Sequence, residues 1–236
     1  MLPFRDINPT RHFPLVTIAL IVVNTLVFLY MVILQMGSGE PALMSFVDQA
    51  AVIPARFAEA KANGALWTTP AWITVFTAMF LHGSPLHLLG NMLYLWIFGN
   101  NVEDIMGPVR YLVFYLICGV IATFTQIAFS WDSTVPMLGA SGAIAGVLGA
   151  YLVRFPSAKV DTCLLLPFFA TVVRLPAIVV LAFWFILQLL SGTLSLTGPT
   201  QQGGVAFWAH IGGFAAGMLL VLLFSKSVRR NDLYYR

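Results

Sequence analysis

The sequence predicts an all-α polytopic membrane protein, a bundle of six membrane helices with a short buried fourth helix and a long interfacial first loop. Three observations lead there. Of the 236 residues, 59% are hydrophobic and only 9% charged, where soluble domains carry about 25% charged residues. Six apolar stretches can be laid along the chain, most of them near the ~20 residues that cross a hydrocarbon core. The basic residues fall almost entirely on one side of that six-span layout.

The spans are expected at about 13–36, 74–99, 111–129, 141–153, 172–190 and 205–224, within one membrane domain covering 1–236. Tails 1–12 and 225–236 then lie on the same side. That side holds Arg5, Arg11, Arg110, Arg154, Lys159, Arg174, Lys226, Arg229, Arg230 and Arg236; the other holds only Arg56 and Lys61. Ten against two favours cytoplasmic termini, and a prokaryotic plasma membrane is the expected location. The first apolar run is too long for a signal peptide and has no small-residue cleavage pattern. Loop 37–73 mixes Leu43, Phe46, Phe57, Trp67 and Trp72 with Asp48, Arg56, Glu59 and Lys61. Such a mixture suggests segments lying in the outer interface, with a partly disordered connector as the alternative.

Several function classes drop out. A formal net charge of +3 is too small to suggest nucleic-acid binding. Metal-ligand clusters and phosphate-binding glycine loops are absent from the sequence, so no metal or cofactor is expected. Cys118 lies in an apolar run and Cys163 follows a basic loop, an arrangement that suggests no disulfide.

The fourth span carries the chemistry. From Ser141 to Arg154 there is helix for only ~21 Å, against a hydrocarbon core of ~30 Å. With Arg154 at the cytoplasmic end, Ser141 starts its helix roughly 9 Å below the outer boundary. Segment 131–140 must then dip into the protein, and irregular backbone is tolerated at that depth only inside protein or along a water-filled cavity. His210 falls ~8 Å down the sixth span, and His87, counted from an inner end at Asn101, again roughly 9 Å below the surface. Asn91 lies one turn deeper on the face of His87. Small residues at Gly142, Gly146 and Ala150, and at Ala209, Gly213 and Gly217, form two stripes that let the fourth and sixth helices approach closely.

A serine hydroxyl becomes a nucleophile when a neighbouring base takes its proton, and histidine is the commonest base. The expected spans contain no Asp or Glu, and Asp132 is the only acid near the cavity in sequence. A Ser141–His210 dyad is therefore expected rather than a triad with a buried carboxylate. His87, the Asn91 amide and the backbone N–H groups at Ser141 can donate to an oxyanion. Gly139 and Gly142 permit a tight turn and close substrate approach. A transporter would use the same polar types, but acidic residues in the spans and a repeat between halves are expected there, and neither is present.

These residues resemble the rhomboid intramembrane serine proteases. Gly139-Ala140-Ser141-Gly142 is similar to the family's GxSG nucleophile motif. Ala209-His210-Ile211-Gly212-Gly213, followed by Gly217, is similar to its AHxxGxxxG pattern. His87-Leu88-Leu89-Gly90-Asn91 matches the oxyanion HxxxN motif, with His82 at an additional upstream histidine position, and Val102-Glu103 then Gly107 resembles a structural turn after that helix. The resemblance implies a water-filled cavity open to the outer side. It also implies a mobile fifth helix and an overlying loop at about 191–204 that control entry. Substrates would be transmembrane helices of other membrane proteins, cut at small residues near the outer boundary. Two departures stand out: Trp67 is followed by Thr68 where the family often has a Trp-Arg pair, and Ala145 stands where an aromatic often supports the histidine. Silent relatives that only capture helices typically lack the serine or the histidine, and both are present here.

Overall fold

A computed structural model describes residues 1–165, 169–197 and 205–225. Helix α1 (Leu15–Ala50) runs well past the expected end of the first span. It bends at Gly39, whose φ of 82° is in the left-handed region, two residues before Pro41; glycine takes that backbone at little cost and proline breaks the hydrogen-bond ladder. Much of what was expected as an interfacial loop is therefore helix, continuing into α2 (Pro54–Ala62). Phe57 of α2 is buried and meets the rings of Trp72 and Phe124 edge-on, which ties this segment to the bundle.

The second span differs from its expected outline at 74–99. Helix α3 (Ala71–Thr77) passes through one 3-10 turn at Ala78–Phe80, and the chain then bends by 81° into α4 (Pro85–Met106). The cause is local. Pro85 disfavours helical backbone at the residue before it, and Ser84 is extended at φ −160°, ψ 159°. Pro85 then occupies the first helical position, and the Ser84 hydroxyl accepts the His87 N–H, capping α4. At its other end α4 runs past Gly99, so Val102 and Glu103 lie inside the helix and only Gly107, at φ 81°, makes the turn into α5 (Pro108–Phe129). The helix thus ends at Met106, five residues beyond the inner end expected at Asn101.

Glu103 is buried and accepts from the Val16 N–H (2.9 Å), the Thr17 N–H (2.8 Å) and the Thr17 hydroxyl (2.8 Å). Those two N–H groups belong to the unpaired first turn of α1, so α4 caps α1 from outside. Glu103→Ala is expected to destabilise the bundle by about 3 kcal/mol, since each orphaned buried donor costs about 1–3 kcal/mol. Thermal unfolding in detergent measures it, with Glu103→Gln retaining part of the loss.

Helix α6 (Ser141–Arg154) is the central element, buried without interruption from Gly142 to Tyr151. Its glycine stripe meets that of α8 (Phe207–Phe224). A Cβ at Gly213 would run into the Gly142 carbonyl, one at Gly217 into the Gly146 carbonyl, and one at Gly149 into the Phe214 carbonyl. The two backbones are in direct contact, which only glycine permits. Among the described residues α1, α5, α7 (Ala177–Thr197) and α8 are long and apolar enough to cross a membrane, and the bent α3–α4 pair makes a fifth candidate.

A three-stranded antiparallel sheet was not expected. Strands β1 (Leu2–Ile7), β2 (Lys159–Leu165) and β3 (Ala170–Pro176) pair in the order β1-β2-β3. The fifth helix accordingly begins at Ala177 rather than near Val172, and the expected N-terminal tail is partly strand. Val160 and Thr162 face inward and are fully buried, while Arg174 donates to Asp161 at 2.9 Å on the outer face. Tyr151 of α6 donates to Asp6 (2.8 Å) and Asn101 of α4 to the Asn8 carbonyl (2.7 Å). The sheet thus brings Arg5, Lys159 and Arg174 to the end of the bundle where α6 closes with Arg154. In the expected loop 191–204, Ser191–Thr197 continue α7, and 198–204 lie outside the described residues, as does the tail from Lys226.

Candidate active site

Ser141 opens α6. The chain before it is irregular and held at three points: the Ala55 N–H donates to the Ser133 carbonyl (3.0 Å), Met137 exchanges both backbone hydrogen bonds with Val52 (2.7 and 3.0 Å), and the Gly139 N–H donates to the Ala78 carbonyl (2.8 Å). Gly139 has φ 126°, a conformation that excludes ordinary side chains. Ala140 follows, fully buried, and its carbonyl accepts the first bond of α6 from Ile144 (3.0 Å). The N–H groups of Ser141, Gly142 and Ala143 precede that bond and have no partner within the helix.

His210 lies in the first turn of α8, which is anchored on α5. Gln126 Oε1 accepts from the Trp208 N–H (3.0 Å) and the Ala209 N–H (3.2 Å), and the Trp208 ring stacks on Phe129 at 3.7 Å. With α8 held there and its glycines against α6, His210 Nε2 comes to 2.8 Å from Ser141 Oγ. His210 Nδ1 lies 2.8 Å from Gln188 Oε1 of α7, and the Trp184 ring sits 5.7 Å from the imidazole.

His87 and Asn91 converge on the same place from α4. A Cβ on Gly139 would lie 2.9 Å from His87 Nε2 and 3.8 Å from Asn91 Nδ2, so both side chains stand against the glycine that leads into Ser141. The Asn91 Nδ2 is buried with no hydrogen-bond partner among the described residues. His82 is fully buried nearby, its ring 5.1 Å from that of His87. A cavity of about 30 Å³ adjoins Ser141, lined in part by Val52, Ala78, Met137, Gly139 and Gly142. Glu103, Gly146 and Gly217 lie away from this cluster and serve packing and capping.

Three residues at the site escaped the sequence reading: Gln126, Trp184 and Gln188. The two glutamines did carry a signal. Both sit in spans expected from hydropathy alone, where an unpartnered polar side chain is costly in lipid.

Several helices long and apolar enough to span a bilayer, with Ser141 of the short α6 in contact with His210 of α8, mark a polytopic membrane protein. The chain belongs to the rhomboid family: the model of the Rhomboid domain matches residues 69–227, more than half of its 236 residues. It is 39% identical over 88 residues to presenilin-associated rhomboid-like protein A, mitochondrial, of Danio rerio, covering 36% of this chain and 23% of that one. To the rhomboid protease GluP of Bacillus subtilis it is 41% identical over 81 residues, covering 34% and 15%. To rhomboid protein 1, mitochondrial, of Saccharomyces cerevisiae it is 29% identical over 164 residues, covering 67% and 44%. The matched part spans less than half the length of each of these relatives.

Proposed function

We propose that the chain is an intramembrane serine endopeptidase that hydrolyses peptide bonds in or near transmembrane helices of other membrane proteins. The 2.8 Å contact between His210 Nε2 and Ser141 Oγ carries the reading. Such a pair, on two helices packed backbone to backbone, is costly to keep in lipid for packing alone. In the reaction His210 Nε2 takes the hydroxyl proton as Ser141 Oγ attacks the scissile carbonyl carbon. The oxyanion of the tetrahedral intermediate is held by the Ser141 N–H, His87 and the Asn91 amide. On collapse the C–N bond breaks, His210 gives its proton to the leaving amine, and the acyl group stays on Ser141. Water, activated by the same imidazole, then releases the acid. No metal or cofactor takes part in this scheme.

The cavity beside Ser141, about 30 Å³, is small, which favours small side chains at the cut. The fold reading is six spans in one membrane domain, with α6 as a short sixth span beside the five candidates. We place both termini in the cytoplasm of a prokaryotic plasma membrane, on the ten-to-two partition of basic residues and on their gathering at the sheet end. The partners are lipid and substrate helices.

The test is cleavage of a model transmembrane substrate by purified protein. Ser141→Ala should remain folded in detergent and produce no fragment; a variant that cuts as well as the wild type removes Ser141 as the nucleophile.

A further inference from the structure

The proposed dyad leaves one requirement unmet: imidazole accepts the serine proton at Nε2 only if its own proton sits on Nδ1. In a Ser-His-Asp triad a carboxylate enforces that tautomer. We propose that Gln188 of α7 enforces it here, as the positioning residue of His210. The inference rests on the protease reading, which requires His210 Nε2 to be the base.

Gln188 Oε1 lies 2.8 Å from His210 Nδ1. A carbonyl oxygen has only acceptor sites, so Nδ1 must carry the hydrogen of this bond. Nε2 is then left with its lone pair, 2.8 Å from the Ser141 hydroxyl that it would deprotonate. The opposite assignment, an amide NH₂ on Nδ1, would put the proton on Nε2 and leave Ser141 without a base. Trp184 lies one turn before Gln188 on the same face of α7, and its ring covers the imidazole at 5.7 Å and 39°. One helix face therefore holds the ring at its side and at its edge. This support from α7 answers the departure at Ala145, where α6 has a small buried residue and no aromatic to offer.

The groups facing His210 are few. α6 offers Ser141, α7 offers Gln188 and Trp184, and α4 brings His87 to the glycine that leads into Ser141. On α5, Gln126 is uncharged and is spent on the α8 backbone. A neutral amide orients the imidazole without the charge stabilisation that a carboxylate adds to imidazolium, so Gln188→Glu should act differently from removal of the group.

Three variants and two readouts test this. In ¹⁵N-histidine NMR, with the His210 signal identified by its loss in His210→Ala, the wild type should show the Nδ1–H tautomer. Gln188→Leu should shift it toward Nε2–H or a mixture. In cleavage assays Gln188→Leu should lower kcat about 10- to 100-fold with KM little changed. The near-isosteric Gln188→Glu should stay active and move the acid limb of its kcat/KM profile to higher pH by about one unit or more. An Nε2–H tautomer in the wild type, or an unchanged tautomer in Gln188→Leu, overturns the inference whatever happens to cleavage. An acid limb in Gln188→Glu that stays at the wild-type pH overturns it too. Failure of the protease reading looks different: the folded wild type would cut no substrate, or Ser141→Ala would cut as well as it does, while the NMR result would stand as found.

Discussion

His210→Ala is expected to lower cleavage of a transmembrane substrate by about 10⁴-fold or more while leaving the bundle assembled. Members of a nucleophile–base unit act together, so loss of one removes nearly the whole effect of both. The packing argument predicts that the fold survives. His210 sits in the first turn of α8, and what holds that helix lies elsewhere: the glycine contacts with α6 and the Gln126 cap on the Trp208 and Ala209 N–H groups. The alanine also frees Gln188 and Ser141, both only partly buried, to bond with water instead. The measurement is a rate comparison at equal folded protein, judged by monodisperse elution and unchanged melting to within a few degrees.

Gly213→Ala is expected to act in the opposite sequence, through the fold first and the chemistry second. The added methyl would overlap the Gly142 carbonyl and come within 3.3 Å of Ala122. The carbonyl is backbone and cannot rotate away, so α6 and α8 must separate. Overpacking of this kind costs about 1–3 kcal/mol, and more where the partner is rigid. Gly142 adjoins Ser141, so any such separation also lengthens the 2.8 Å contact with His210. The variant should therefore lose stability in a melting experiment and lose most of its kcat together. Gly90→Ala, whose added methyl meets nothing within 4 Å, should change neither appreciably.

Much of the site was legible because its constraints are local or one-dimensional. The length of α6 follows from Ser141 and Arg154, the glycine stripes follow from helical spacing, and a polar side chain in an apolar run announces itself. Those signals led to Ser141 and His210, which touch each other, and to His87 and Asn91, which stand against Gly139. The second span was misdrawn because hydropathy runs straight through Leu81–Ser84, although Ser84-Pro85 is a cap followed by a first-turn proline. The sheet was missed for a related reason. Val172 and Val173 extend the apolar run of α7, so only their β-branching and the matching Val160 and Thr162 hinted at strands. The resemblance implies a turn at Glu103, and its capping role is hidden in one dimension because its partners, Val16 and Thr17, are distant in sequence. Gln188 and Trp184 are the same kind of case: their spacing puts them on one face, but nothing in one dimension says that His210 lies against it.

The central claim is that Ser141 is a nucleophile activated by His210, and covalent labelling tests it without any choice of substrate. A serine-directed fluorophosphonate is incubated with the wild type, Ser141→Ala and His210→Ala, and the modified residue is mapped by mass spectrometry. The account predicts one adduct, on Ser141, absent from Ser141→Ala and reduced at least about 100-fold in rate in His210→Ala. A folded wild-type protein that takes no label, or that labels at the same rate without His210, would contradict it.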